Sequence, residues 1–147
     1  MSQDAKSLLV LINDAARMVR SEFGRSARDH KLTLLQWRTL GMLARGEPLT
    51  QSAIAQRIEA SPMTMSDIVN RLESLGYVLR EVDPADSRAK LVRLAPAALP
   101  IVEEMRAIAQ DLSSRIFAGF SEPEREALEV LLGRLIANLE SLAATHD

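Results

Sequence analysis

The sequence predicts a mainly α protein with a small two- or three-stranded antiparallel β-sheet. Three observations support this: amphipathic helical spacing near both ends, two short helical segments in tandem after Thr50, and two β-rich segments that end at Leu94. Two short helices joined by a tight turn form a helix-turn-helix, and the β-rich pair adds a ribbon, here called the wing. We therefore expect a winged helix-turn-helix lobe at residues 33–95, flanked by helical segments at 1–32 and 96–147.

The first two helices are defined by apolar spacing and a cap. The first is expected from near Asp4 to about Arg28, because its apolar residues recur at intervals of four and three. These residues are Leu8, Ile12, Ala15, Val19 and Phe23. The second helix begins at Thr33, which forms a capping box with Gln36, and it carries Trp37.

The third and fourth helices make up the helix-turn-helix. The third opens at Thr50 and is joined to the fourth through Glu59 and Ala60. The fourth is predicted from Pro62 to Leu75, because Ser61 supplies an N-cap oxygen and a glycine follows the last apolar residue. Its inward stripe is Met65, Ile68, Val69, Leu72 and Leu75, and its outward residues are Met63, Ser66, Asp67, Asn70 and Ser74. One face is therefore expected to pack and the other to contact a partner.

The wing is predicted from strands at Tyr77–Val82 and Arg88–Leu94, separated by a turn that contains Pro84. Its basic residues are Arg80, Arg88, Lys90 and Arg93. Arginine at the tip of such a ribbon can reach phosphates or a minor groove beside the docking site of a helix. The pattern is therefore typical of a nucleic-acid interface.

Two further helices follow the wing. The fifth is marked by Ile101, Met105, Ile108, Leu112 and Ile116, and Pro100 either begins it or kinks it. The sixth opens with a second capping box, Ser121 with Glu124. Its leucines alternate four and three apart like a coiled-coil seam, at Leu128, Leu132, Leu135, Leu139 and Leu142.

The outer helices carry more apolar surface than a lobe of about 60 residues covers, and burial against a second copy is the economical solution. The alternative is that these helices fold over their own lobe as a monomer. The candidate dimer residues are Leu8, Ile12, Leu112, Ile116, Leu128, Leu132, Leu135 and Leu139. A membrane-surface role is disfavoured because the C-terminal polar faces are acidic.

Composition narrows the function classes. The chain has 147 residues, 47% of them hydrophobic, which suffices for a substantial core. No apolar run approaches the roughly 20 residues of a membrane span, and the first residues lack a signal-peptide layout, so we expect a cytoplasmic protein. The absence of cysteine excludes disulfides and thiolate zinc sites, and two histidines, His30 and His146, leave little for a metal site.

The charge is unevenly distributed. The net charge is −2, and residues 51–94 carry six basic and six acidic side chains, whereas residues 95–147 carry four basic and nine acidic ones. The segment predicted to bind DNA is therefore neutral. Its affinity for DNA must depend on individual contacts and on the pairing of two copies, rather than on a broad positive charge.

The chain resembles the MarR family of transcription regulators over nearly its whole length. The matching residues are Leu32, Thr33, Gln36, Trp37 and Leu40; Leu49, Thr50, Ile54 and Ala55; Ser61, Thr64, Val69, Arg71, Leu72, Glu73 and Gly76; and Asp83, Pro84, Asp86, Arg88, Val92 and Leu94. The most specific piece is the wing sequence in which Asp86 is followed, after one residue, by Arg88.

The resemblance implies a two-fold dimer made by the first and last helices, the fourth helix in the major groove, and Arg88 at the minor groove. It also implies a pseudo-palindromic operator, usually bound by a repressor, with half-sites about 34 Å or 10 base pairs apart. Asp67 departs from the family, which often has a basic or neutral polar residue there. A carboxylate near phosphates is unfavourable unless it accepts from cytosine N4 or pairs with Arg71, so this residue leaves the operator sequence open. Pro62 and Met63 replace a common polar pair, and Ala95 replaces a hydroxyl cap.

The candidate DNA-binding residues are Thr50, Gln51, Ser61, Met63, Thr64, Ser66, Asp67, Asn70, Arg71, Arg80, Ser87, Arg88 and Lys90. Two structural alternatives stay open. Ser61, Thr64, Ser66, Asp67, Asn70 and Arg71 could form a solvated helix face, and Arg88 could make a salt bridge to Asp86 or Asp83 that stiffens the hairpin.

No cofactor is expected, but the resemblance implies a crevice for a small aromatic or anionic effector. Arg17, Met18 and Trp37 are candidates to line it, although Trp37 is also expected in the core. His30 is expected to terminate the first helix, where a cation is favourable.

No catalytic constellation is visible, since the chain lacks a glycine-rich phosphate loop, an HExxH motif and a cysteine nucleophile. A non-enzymatic, DNA-binding transcriptional regulator is the leading interpretation. The alternative from another class is a winged-helix protein-interaction module that does not bind DNA, which the neutral segment and Asp67 favour.

Overall fold

The computed structural model describes residues 2–145, with side chains from residue 7 onward, so that His146 lies outside the described residues. In chain order this part contains α1 (Ser2–Asp29), α2 (Leu34–Leu43), β1 (Leu49–Thr50), α3 (Gln51–Ile58), α4 (Pro62–Ser74), β2 (Val78–Val82), β3 (Lys90–Leu94), α5 (Leu99–Ile116) and α6 (Glu122–Ala144). The chain forms two compact units, one that ends at Ala109 and one that begins at Gln110. None of the described helices is long and apolar enough to cross a membrane.

The predicted helix caps are present. Thr33 Oγ1 accepts from Gln36 N–H at 3.1 Å, and Gln36 Oε1 accepts from Thr33 N–H at 3.0 Å. Ser121 and Glu124 make the same reciprocal pair at the start of α6. These bonds satisfy N–H groups that the first turn of a helix leaves unpaired, which explains why α2 and α6 begin where they do.

The sheet has the order β1-β3-β2, and all its pairs are antiparallel. Val78 pairs with Leu94 and Val82 with Lys90, while the short β1 places Leu49 opposite Val92. Of the two alternatives left by the sequence, the three-stranded sheet is therefore the correct one.

The core of the first unit joins the helix-turn-helix to the sheet and to the start of α5. Its central side chains are Trp37, Leu40, Ile54, Met65, Leu72, Val78, Val92 and Val102. Residues from α2, α3, α4, both long strands and α5 thus form one cluster. This common core holds the α4 backbone in place relative to the ribbon.

The structure differs from the sequence prediction at two boundaries and decides a third that the sequence left open. Leu75 was predicted to pack inward but is 36% exposed, because α4 ends at Ser74 and Leu75 is its C-cap. The strands are shorter than expected, since Ala89 N–H donates to Asp86 O and extends the turn. Pro96 lies in a separate 3₁₀ turn, so Pro100 falls in the first turn of α5, where a missing N–H is tolerated and no kink is needed.

Candidate nucleic-acid interface and ligand cavity

The outward face of α4 is built by its N-terminal cap and its apolar stripe. Ser61 Oγ accepts from Thr64 N–H at 3.1 Å and donates to Thr64 Oγ1 at 2.9 Å, so both hydroxyls are engaged in the cap. Met65, Ile68, Val69 and Leu72 are buried, which turns the opposite side of the helix to solvent. Met63, Asp67, Asn70 and Arg71 are exposed there, while Ser66 is half-buried.

The connection between α3 and α4 is short because Glu59 adopts the left-handed conformation, with φ 58°. At the other end of α3, Thr50 Oγ1 accepts from Ala53 N–H at 3.1 Å. Gln51 follows Thr50 at the first helical position and is half-buried. The Thr50 hydroxyl therefore already caps α3, and a contact with DNA would use the same hydroxyl.

Arg80 on β2 joins the wing to the outward face of α4. Its guanidinium donates to Asn70 Oδ1 at 2.5 Å, and its Nε lies 4.0 Å from a carboxylate oxygen of Glu73. The Arg80 side chain is only 19% exposed. Arg80 is therefore directed at α4 rather than into solvent, and it sets the position of the ribbon beside that helix.

The turn at the wing tip is ordered by two aspartates. Asp83 Oδ1 accepts from Ala85 N–H, and Asp86 Oδ1 accepts from Arg88 N–H, both at 2.9 Å. These bonds explain the two aspartates, because each carboxylate binds the backbone two residues later and so orders the turn that carries Arg88. Among the described residues, the Arg88 guanidinium makes no ion pair, whereas Arg93 pairs with Glu81. The tip therefore presents an exposed, unpaired guanidinium with Ser87 and Lys90 exposed on either side.

Asp67 is exposed on α4, and within residues 2–145 its carboxylate makes neither a hydrogen bond nor an ion pair. Pairing with Arg71 was one of the two roles that the sequence left open for Asp67. The structure does not contain that pair, so the carboxylate is available to an outside donor.

A cavity of about 700 Å³ lies between α1, α2 and the first part of α5. It is lined by Phe23, Trp37, Arg38, Gly41, Met42, Ala44, Arg45, Val102, Met105, Arg106 and Ala109. Trp37 is 4% exposed and belongs to the core as well as to the lining. The sequence also placed Arg17 and Met18 at the pocket, but neither lines this cavity, and Arg17 faces Asp14 at 3.4 Å.

The cationic residues at the cavity were not expected from the sequence. Arg106 pairs with Glu103 at 2.6 Å, whereas Arg38 and Arg45 make no ion pair among the described side chains. No spacing rule in the sequence signals this pair, because Arg38 lies on α2 whereas Arg45 lies in the turn after its C-cap Ala44. The cavity thus combines an aromatic wall with positive charge.

His30 joins the end of α1 to α5. Its Nδ1 lies 2.9 Å from Ser26 O and its Nε2 lies 2.8 Å from a carboxylate oxygen of Glu104. The Ser26 carbonyl raises the pKa of His30, partial burial opposes this, and Glu104 and Asp29 raise it further, so the net pKa is above its ordinary value. The Trp37 ring lies beside it, with ring centroids 5.4 Å apart. The prediction that His30 terminates the first helix is confirmed. Its contact with Glu104 could not be predicted, because no sequence motif links residues 74 positions apart.

Each compact unit leaves apolar side chains exposed. On α1 these include Leu8, Leu9, Leu11 and Ile12, and in the second unit they include Ile116, Leu132, Ile136, Leu139 and Leu142. Leu128 and Leu135 are half-buried. Leu112 differs from the other candidate dimer residues because it is already buried within the single chain, so it contributes little to an exposed face.

A helix-turn-helix whose second helix is flanked by a ribbon with a cationic tip defines the winged-helix class of proteins. Comparison with known proteins gives the same result. The MarR family model matches residues 30–89. The chain is 30% identical to the transcriptional regulator PA3341, with 91% of this chain and 98% of that one covered and a TM-score of 0.82.

Two more distant structures share the fold. A MarR transcriptional regulator from Methanosarcina mazei Go1 is 20% identical, with 93% and 99% of the two chains covered and a TM-score of 0.83. Wild-type MarR from E. coli is 22% identical, with 87% and 95% covered and a TM-score of 0.75. The chain belongs to the MarR family, and it is a transcriptional regulator of that family rather than an enzyme. The predicted fold and family are thus confirmed.

Proposed function

We propose that the protein is a homodimeric repressor that binds a pseudo-palindromic operator with α4 in the major groove and the wing tip at the minor groove. The observation that carries this proposal is the Arg80–Asn70 contact, which holds the ribbon beside the outward face of α4. A helix with an exposed polar face and a ribbon with an exposed, unpaired guanidinium thus lie side by side on one surface. Two such surfaces related by two-fold symmetry suit half-sites about one helical turn apart.

The experiment compares Arg88→Ala with Arg93→Ala. The Arg88 guanidinium is unpaired, so its loss should weaken binding to all sequences and reduce the slope of log K against log salt by about 0.9 per protomer, or about 1.8 for a dimer that uses both wings. Arg93 is the matched control, because it lies on the same ribbon but is neutralised by Glu81. Binding is measured by fluorescence anisotropy at several salt concentrations, with DNA from directly upstream of the gene. Equal slopes for wild type and Arg88→Ala would contradict the proposed role of the wing tip.

Support for the homodimer comes from the apolar residues that each unit leaves exposed. Leu9 on α1 is 66% exposed and Leu139 on α6 is 55% exposed, and patches of this kind usually mark association surfaces. A second copy would cover these residues through a self-complementary interface.

A second candidate function is a winged-helix module that binds a protein. Met63, 78% exposed on the outward face of α4, favours it, as does the neutral charge of the lobe. The salt titration separates the two functions. A protein-interaction module would show no binding to the upstream DNA at low salt.

We propose that the cavity beside Trp37 binds a small aromatic acid whose binding releases the operator. The volume lies within the usual range for small-molecule sites, and Arg38 and Arg45 would receive the carboxylate. Trp37 is the only tryptophan, so its fluorescence reports occupancy directly during titration with a panel of aromatic acids. Arg45→Ala should weaken binding of the acid, whereas Arg25→Ala, which removes an arginine on α1 that pairs with Glu22, should not. Equal affinities for these two variants would count against this site.

A further inference from the structure

Three exposed residues form a row along the outward face of α4. Met63, Asp67 and Asn70 stand at positions i, i+4 and i+7, which superimpose on one side of an α-helix. The row, called the outer row below, is about 10 Å long at a rise of ~1.5 Å per residue. That length corresponds to about three base steps of ~3.4 Å. Each member has a different hydrogen-bonding character, and the structure determines that character.

Asn70 is held with its donor group outward. An asparagine amide ordinarily accepts through Oδ1 and donates through Nδ2, which allows bidentate binding to adenine. Here Oδ1 receives the guanidinium of Arg80. Because arginine has donors only, the amide cannot be rotated without losing this bond. The outward group is therefore the NH₂ of Asn70, which makes no other hydrogen bond among the described residues.

Asp67 is restricted to the role of an acceptor. A carboxylate has acceptor oxygens only, and no described residue donates a hydrogen bond to that of Asp67 or pairs with it. In the major groove the groups that an acceptor can bind are the exocyclic amino groups of cytosine and adenine. Phosphate oxygens, by contrast, would repel it.

Met63 offers no hydrogen bond to the groove. Its side chain is 78% exposed although it is apolar, and it extends from the first turn of α4. The thymine C5-methyl group is the apolar feature of the major groove. Contact with this methyl group would remove both apolar surfaces from water.

We propose that the outer row determines operator sequence through three complementary contacts, an inference that rests on the proposed binding of α4 in the major groove. Met63 contacts a thymine methyl group, Asp67 accepts from cytosine N4, and the NH₂ of Asn70 donates to a guanine O6 or N7 or to a thymine O4. Arg80 acts as a positioning residue, because it fixes the polarity of Asn70 without contacting a base.

The test is selection of binding sites from random duplex DNA with the wild type and three variants. Asp67→Asn should replace the preferred cytosine by adenine, since a free amide can bind adenine in bidentate fashion. Asn70→Asp retains an acceptor for Arg80 but removes the donor, and should replace the preferred guanine or thymine by a base with an amino group. Met63→Ala should weaken the preference for thymine. Ser74→Ala is the matched control on α4, because its hydroxyl bonds to Arg71 O, and it should keep the wild-type motif.

Affinity measurements then assign each contact. Replacing the selected thymine by uracil deletes only the methyl group and should weaken wild-type binding several-fold, with little further effect on Met63→Ala. Each polar mismatch should cost the wild type roughly fivefold to a hundredfold, the range for single base contacts. Thermal unfolding of every variant establishes that the fold is retained.

The outcomes separate the two proposals. A wild-type protein that enriches no motif would overturn operator binding and the outer row together. A wild-type motif that Asp67→Asn and Asn70→Asp both share would overturn the outer row while operator binding stands. A change of base preference confined to the expected positions would support both.

Discussion

The His30–Glu104 contact is expected to make the stability of the protein depend on pH. Both partners of the His30 ring, Ser26 O and the Glu104 carboxylate, are acceptors, so both ring nitrogens must donate and the imidazolium is the favoured form. The pKa of His30 is accordingly raised in the folded protein above the ordinary value of 6.5. A raised pKa means that this stabilisation is fully present below about pH 6.5 and is lost as the pH rises through the folded-state pKa.

The expected magnitude is about 1 kcal/mol. A hydrogen bond between charged groups can contribute more, but the Glu104 side chain is 60% exposed, and solvent screens exposed ion pairs to roughly 0.2–1 kcal/mol. For a domain of this size, that corresponds to about 2–4 °C in melting temperature.

The perturbation is His30→Gln, which removes the titrating group, together with Glu104→Gln, which removes the carboxylate. Glu103→Gln is the control, because Glu103 is adjacent but pairs with Arg106. Urea unfolding at pH 5.5 and pH 8.5, followed by Trp37 fluorescence at fixed protein concentration, gives the free energies. The wild type should lose about 1 kcal/mol more than His30→Gln between the two pH values. An identical pH dependence for the two proteins would refute the reasoning.

Three further outcomes are expected. Leu135→Asp should break the dimer and abolish operator binding together, and a sedimentation experiment that shows an intact dimer would count against the seam on α6. Gly76→Ala should cost about 1 kcal/mol of unfolding free energy, because φ is +77° while the space around a new Cβ is open; an unchanged melting temperature would contradict this backbone argument. Leu40→Ala, at a fully buried position between α2 and the sheet, should cost about 2–5 kcal/mol in urea unfolding, and a cost below 1 kcal/mol would mean that the core can collapse around the gap.

The sequence by itself determined the elements and their order. Thr33, Ser61 and Ser121 each start a helix by a hydrogen bond to a residue three positions later. Such local bonds can be predicted from a short stretch of sequence. The stripe on α4 was predictable for the same reason, since helical periodicity alone assigns Met65 and Leu72 to the buried face. The prediction that Leu75 packs inward was wrong because the apolar spacing continues past Ser74, the residue at which the helix ends.

Contacts between residues far apart in the chain were decided only by the tertiary structure. Arg80, a candidate to contact DNA, bonds to Asn70 ten positions earlier in the chain, and Glu104 meets His30 across 74 positions of sequence. The arginines likewise line a cavity only because α5 packs near α2, and no spacing rule in the sequence predicts that packing. Such pairings depend on how helices pack, and packing is set by the whole core rather than by any one segment. The sequence therefore determined a helix with an outward face, whereas the tertiary structure decided which atoms of that face remain free to bind.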